Sequence, residues 1–140
     1  MAETTITLEA LQERLWAANF NKWLGLKILK IGDGTIEIEL PWREEIMSNP
    51  KLKATHGGVL AALVDATADF ALATKIGQPV PTVDIRVDYH RTATPGELRA
   101  VGRVIRQGAT LSVAETEIFD RENKLVASGR GVYFTGAVKA

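Results

Sequence analysis

The sequence contains no cysteine, and that absence removes disulfides, thiol nucleophiles and thiolate metal ligands together. Histidine is almost as scarce: His56 and His90 are the only two, with no H-x-x-x-H or H-x-H spacing, so a metal site is not expected. There is no excess of charge of either sign. Seventeen Lys and Arg balance seventeen Asp and Glu, which argues against a nucleic-acid or anionic-membrane footprint and leaves any charged ligand to a local cluster. The opening residues Met1-Ala2-Glu3-Thr4-Thr5 lack the basic start and apolar core of a secretory leader, and the longest apolar run is broken by Asp65. A cytoplasmic protein without a membrane span is therefore expected. With 140 residues, the chain suits one core of ordinary size, so residues 1–140 are expected to form a single domain.

What is present is concentrated between Thr55 and Gly77. Val59, Leu60, Ala61, Ala62, Leu63, Val64, Ala66, Ala68, Phe70, Ala71 and Leu72 run round every side of a helix rather than along one stripe. A helix apolar all round is a buried one. Gly77 followed by Pro79 supplies the stop, so the central helix is expected over 55–77. Two carboxylates, Asp65 and Asp69, are set into it, and His56-Gly57-Gly58 stands at its start. A buried acid is costly unless it is paired or has work to do.

The flanking sequence alternates between helical and extended periods. Leu8, Leu11, Leu15, Trp16, Phe20 and Trp23 fall at helical spacings, with Thr7 as cap and Glu9 in the first turn, which predicts one amphipathic helix within residues 1–24. Gly32-Asp33-Gly34 followed by the alternation of Thr35 to Leu40 predicts a hairpin. Periodicity lapses from Pro41 to Thr55, which reads as a loop. Beyond the helix come strands alone: one alternating from Thr82 to His90, then 97–106, about 110–119, and Lys124 to Phe134, joined by turns and expected to connect mostly as hairpins. Small residues Ser128, Gly129 and Gly131 in the last strand suit a sheet surface approached closely by another backbone. An α+β fold follows, in which one antiparallel sheet curls around the central helix with an extra helix at the N-terminus.

H-G-G-V-L-A-A-L-V-D followed by T-V-D-I-R-V-D-Y, with an acid nine residues after the histidine and strands trailing, resembles the hotdog-fold acyl-CoA thioesterases. The likeness is to the PaaI-like, phenylacetate-degradation branch of the 4-hydroxybenzoyl-CoA thioesterase superfamily, and it runs from about Trp23 to Phe134. By that resemblance Asp65 activates water or attacks the thioester, the Gly57 backbone N–H polarises its carbonyl, and Thr82 assists the acid. Asn49 would place the substrate, although its loop lacks the glycine often found there. His56 joins the catalytic set, or simply bonds backbone and orients the turn. Coenzyme A, as part of the substrate, would be held by Tyr89, His90 and Arg91 within the stretch Tyr89 to Thr94, and by Arg106. No separate cofactor is implied. The resemblance further implies a homodimer, often paired into a homotetramer.

The residues carry much of this chemistry by themselves. Thioester hydrolysis needs a polarised carbonyl, an activated water or nucleophile and a dry site. Glycine at a helix start offers free N–H groups and close approach. Asp65 offers the base; burial is expected to raise its pKa, and Asp69 one turn on to raise it further if both face one pocket. Asp69 reads more readily as structural or solvent-facing than as a catalyst. Gly58 and Asp65 lie seven residues apart, about 10 Å along a helix, and Gly57 one residue further. One helix does not present both groups to one carbonyl, whereas two helices across a two-fold axis do. Two other functions fit the fold: a non-catalytic acyl-CoA or aromatic-ligand binder, and a hydratase or dehydratase, for which no histidine follows Asp65 until His90. Trp42, Met47, Leu52 and Phe70 are candidates for an acyl pocket and equally good core residues.

Overall fold

The computed structural model describes residues 6–138, so the first five residues of the expected N-terminal segment and the last two of the chain lie outside the description. The centre of the fold is a helix, α3, running Gly57–Ile76. Before it come the helices α1 (Leu8–Ala17) and α2 (Asn19–Leu24) and the strands β1 (Lys27–Gly32), β2 (Thr35–Leu40), β3 (Met47–Asn49) and β4 (Ala54–Thr55). After it come β5 (Thr82–Tyr89), β6 (Leu98–Arg106), β7 (Ser112–Phe119) and β8 (Leu125–Tyr133). Six strands form one antiparallel sheet in the order β1-β2-β6-β7-β8-β5, and α3 packs against all six. This is the hotdog arrangement: one sheet wrapped round one helix. Among the described residues, no helix is long and apolar enough to cross a membrane.

The sequence of α3 explains its place. Leu60, Leu63, Val64, Ala68, Phe70, Ala71 and Leu72 are all buried, each large one contributing roughly 1.5–3 kcal/mol of transfer free energy. Gly77 ends the helix in the left-handed conformation at φ +86°, its N–H donating to Ala73 O, where a residue with a Cβ would be strained. Thr116 of β7 donates its hydroxyl to Val64 O at 2.8 Å. Gly129 of β8 is the point of close approach, since a Cβ there would overlap Val64 of the helix and the Arg86 backbone oxygen of β5. The small residues of the last strand thus admit the helix and the neighbouring strand, as their sequence suggests.

Three expectations need correction. The N-terminal helix is two helices, because Ala18 is extended (φ −81°, ψ 114°) between α1 and α2. In one straight helix Leu24 would point roughly 180° away from Leu15; the break turns α2 so that both are buried, and it leaves Trp16, Phe20 and Trp23 exposed. The stretch 41–55 is also not a plain loop. It holds a single 3-10 turn, Glu44–Ile46, and the short β3–β4 hairpin that delivers the chain to α3. Finally, β5 and β6 are not a hairpin: β5 pairs with β8 at one edge of the sheet, and β6 pairs with β2. The Thr94-Pro95-Gly96 turn reverses the chain without choosing its partner. That choice follows from burial, since the β2–β6 register stacks Ile36, Ile38 and Leu40 with Gly102, Ala100 and Leu98 on one apolar face.

Candidate active site

At the start of α3 the backbone N–H groups are accounted for one by one. His56 is the cap: its Nδ1 accepts the Gly58 N–H at 2.8 Å, a bond that needs the Nδ1 lone pair and so places the ring proton on Nε2. The Val59 and Leu60 N–H groups both donate to His56 O. The His56 N–H donates to Ile46 O and that of Thr55 to Ala93 O, which fastens this corner to neighbouring loops. Gly57 N–H is left with no acceptor among the described residues. It is a free donor at the positive end of a helix of 20 residues. Tyr89, at the end of β5, lies alongside: its hydroxyl donates to Gly57 O at 2.7 Å.

The acid sits two turns along. Thr82, the first residue of β5, donates its hydroxyl to Asp65 Oδ1 at 2.8 Å. Tyr133, the last residue of β8, donates to the same Oδ1 at 3.0 Å and lies 3.1 Å from Asp65 O, so one hydroxyl proton is shared between two acceptors. Asp65 Oδ2 accepts no hydrogen bond from the described residues. Tyr133 is fully buried, and Gly131 makes its room, because a Cβ there would overlap the phenol ring. Burial, with Asp65 and Asp69 adding to it, pushes the Tyr133 hydroxyl above the usual phenol range. It therefore keeps its proton, and with it the ability to donate, at any physiological pH. Sequence reasoning missed this residue. The available signal was a glycine two positions before an aromatic on one strand face.

Asp69 follows one turn later on the same side, half-buried, with its Oδ1 accepting the Val80 N–H at 2.9 Å. Burial raises its pKa to about 7; the Val80 hydrogen bond opposes the rise and Asp65 adds to it. One oxygen of this half-buried carboxyl is thus tied to backbone.

The other expected residues are dispersed. Asn49 is exposed, and its Oδ1 accepts the Lys51 N–H at 2.9 Å within its own loop. His90 Nε2 lies 2.8 Å from Ser128 Oγ. Arg91 is exposed and donates its backbone N–H to Val126 O. Arg106 Nη1 donates to Leu111 O at 3.4 Å. Phe70 belongs to the core, Leu52 is 63 % exposed, and Trp42 is partly buried against the core.

Two groups emerge near opposite ends of β5, a strand whose backbone spans about 23 Å at the usual rise. Asp65, Thr82 and Tyr133 occupy one end. Arg106 is at that end of the sheet too, because Arg106 pairs with Val113, which pairs with Val132. Gly57, His56, Tyr89, His90 and Arg91 occupy the other end. Along α3, eight residues separate Gly57 from Asp65, roughly 12 Å. Each end holds half of what a carbonyl reaction needs.

A family model described as "Thioesterase superfamily" matches residues 52–127. The chain is 48% identical to a crystallised protein described as from the thioesterase superfamily, with a TM-score of 0.88 over 91% of this chain and 96% of that one. It is 30% identical over 127 residues to the 1,4-dihydroxy-2-naphthoyl-CoA hydrolase of Escherichia coli strain K12, covering 89% of this chain and 91% of that protein. The E. coli PaaI protein from the phenylacetic acid degradation operon superposes with a TM-score of 0.77 at 26% identity, covering 90% of this chain and 92% of that one.

Proposed function

The chain belongs to the thioesterase superfamily, and from that premise we propose that it hydrolyses an acyl-CoA or aryl-CoA thioester to the free acid and coenzyme A. One observation carries the reading: Asp65 has both protein donors on Oδ1 and keeps Oδ2 open, on a helix whose first N–H is also unused. The thioester oxygen accepts from Gly57 N–H, which stabilises the charge that gathers there as the carbonyl carbon becomes tetrahedral. Asp65 Oδ2 then acts in one of two ways. As general base it takes a proton from water while the water oxygen bonds to the carbonyl carbon. As nucleophile it bonds to that carbon itself, and water cleaves the resulting anhydride. In both, the C–S bond breaks and the coenzyme A thiolate leaves to take up a proton.

The two halves meet across a dimer. β5 is an edge strand with Val83, Ile85 and Tyr89 exposed, a surface that a second strand covers well. Two β5 edges related by a two-fold axis run antiparallel, which sets the Asp65 end of one chain beside the Gly57 end of the other. The same operation brings Arg106 of one chain toward Tyr89, His90 and Arg91 of its partner, so the residues assigned to coenzyme A converge only in the pair. His56 holds the donor turn, Thr82 steadies the acid, and Asn49 borders the substrate. We place the chain in the PaaI-like branch, as a homodimer that pairs into a homotetramer. Incubating the purified protein with a panel of acyl-CoAs and a thiol reagent tests the activity: thiol release that Asp65→Asn abolishes supports it, and no release from any member refutes it.

A further inference from the structure

Asp69 has no part in the chemistry assigned above, yet it keeps a carboxyl inside the most apolar helix of the chain. Among the described residues its one hydrogen bond is from Val80 N–H, at 2.9 Å. Val80 stands between Pro79 and Pro81, which have no N–H to give and whose rings fix their own φ. The stretch therefore has a single backbone donor, and Asp69 takes it. Val80 is only 6 % exposed, so without that acceptor its N–H would be buried and unpaired. The next tie is Phe134 N–H to Pro81 O at 2.9 Å, and the next is Thr82 to Asp65.

The spacings match. Asp65 and Asp69 are four helical residues apart, about 6 Å along the axis. Thr82 and Val80 are two extended residues apart, about 6.6 Å. An extended chain running back along the helix therefore meets Asp69 at Val80 and Asp65 at Thr82 without slack. We propose that Asp69 is a positioning residue: it sets the register in which the Pro79-Val80-Pro81 strap lies on α3, and so puts the Thr82 hydroxyl on Asp65 Oδ1, leaving Oδ2 for the reaction. The inference rests on the reading of Asp65 as the acid of a thioesterase. It excludes a second catalytic acid at Asp69.

The test separates acceptor from acid. Asp69→Asn keeps a carbonyl oxygen for Val80 N–H, whereas Asp69→Ala removes it and Val80→Pro removes the donor. On an acyl-CoA that the wild type hydrolyses, Asp69→Ala lowers kcat at least about tenfold with KM nearly unchanged, Asp69→Asn stays within about threefold of wild type, and Val80→Pro falls as Asp69→Ala does. Adding Asp69→Ala to Val80→Pro costs nothing more. An Asp69→Asn variant as slow as Asp69→Ala, an Asp69→Ala variant at wild-type kcat, or losses that multiply in the double variant would each overturn the proposal. Amide exchange at Val80 tests it without turnover: protection kept in Asp69→Asn and lost in Asp69→Ala supports the strap, and equal protection in both refutes it. If Asp69→Ala does not fold, Val80→Pro alone carries the kinetic test, because it leaves the acid in place. A wild type that hydrolyses no acyl-CoA defeats the functional reading while leaving the exchange result to decide the strap.

Discussion

Tyr133 and Thr82 are register partners across β8 and β5, and both donate to one oxygen of Asp65. The pairing engages Oδ1 and leaves Oδ2 open, so under the proposed function Oδ2 is the oxygen that reacts. Tyr133→Phe keeps the ring in its slot over Gly131 and removes one donor from Oδ1, which a charged acceptor feels by about 1.5–3 kcal/mol. We expect kcat to fall roughly tenfold or more, with KM little changed. Steady-state kinetics on the best acyl-CoA of the panel checks this, and an unchanged kcat would mean that Tyr133 only fills space.

Asp65→Asn should abolish most turnover while the fold and ligand binding persist, since shape is kept and the base is lost. Melting temperature and acyl-CoA titration verify the second half of that statement. A single turnover of the wild type in H₂¹⁸O then tests for the nucleophilic role of the acid. General-base attack puts the heavy oxygen in the product acid. An anhydride opened at the aspartyl carbon puts it in Asp65, which peptide mass spectrometry detects.

Gly57→Pro is an unusually clean variant here. Gly57 is the first residue of α3 and His56 is already extended at φ −58° and ψ 132°, the position and the preceding conformation that proline favours. The substitution removes the free N–H, and the Cβ it adds meets the Tyr89 ring at an ordinary 3.5 Å contact. We expect a folded protein whose kcat is lower by about 10²–10³-fold, the usual loss for one oxyanion donor. Full activity in the folded variant would mean that the carbonyl is polarised elsewhere.

How far the sequence reaches is visible in these same residues. The Gly77 stop, the Gly32-Asp33-Gly34 hairpin and the alternation from Thr82 to Tyr89 are local signals, and the structure has those elements where they point. The break at Ala18 is not local: it arises because Leu15 and Leu24 must be buried on the same body. The placement of β5 beside β8 has the same character, since a turn does not name its partner strand. The motif makes Asp65 and Gly57 candidates, but the donors that select Oδ1 come from residues 17 and 68 positions away in the chain. No spacing rule connects Tyr133 to Asp65.

Asp69 yields a pH prediction of definite sign. Its pKa in the fold is about 7 against an ordinary 3.8, so between those values the folded protein holds a proton that the unfolded chain has lost. Stability from this group is present below about pH 4 and is lost as pH rises toward 7, a loss of at most about 4 kcal/mol. Asp69→Asn does not titrate. Its melting temperature relative to wild type should therefore climb from pH 4 to pH 7.5, as measured by calorimetry across that range. A difference that stays flat with pH would remove the burial of Asp69 as its cause.

In the proposed enzyme each site takes Gly57 from one chain and Asp65 from another. Mixing Asp65→Asn with Gly57→Pro, each inactive alone, makes heterodimers with one site carrying both lesions and one carrying neither, provided the subunits exchange or are co-expressed. Activity per verified heterodimer should return to about half that of the wild-type dimer, as the count of intact sites under two-fold symmetry requires. Sites built within one chain would each keep one lesion, and verified heterodimers that stay inactive would contradict the shared site.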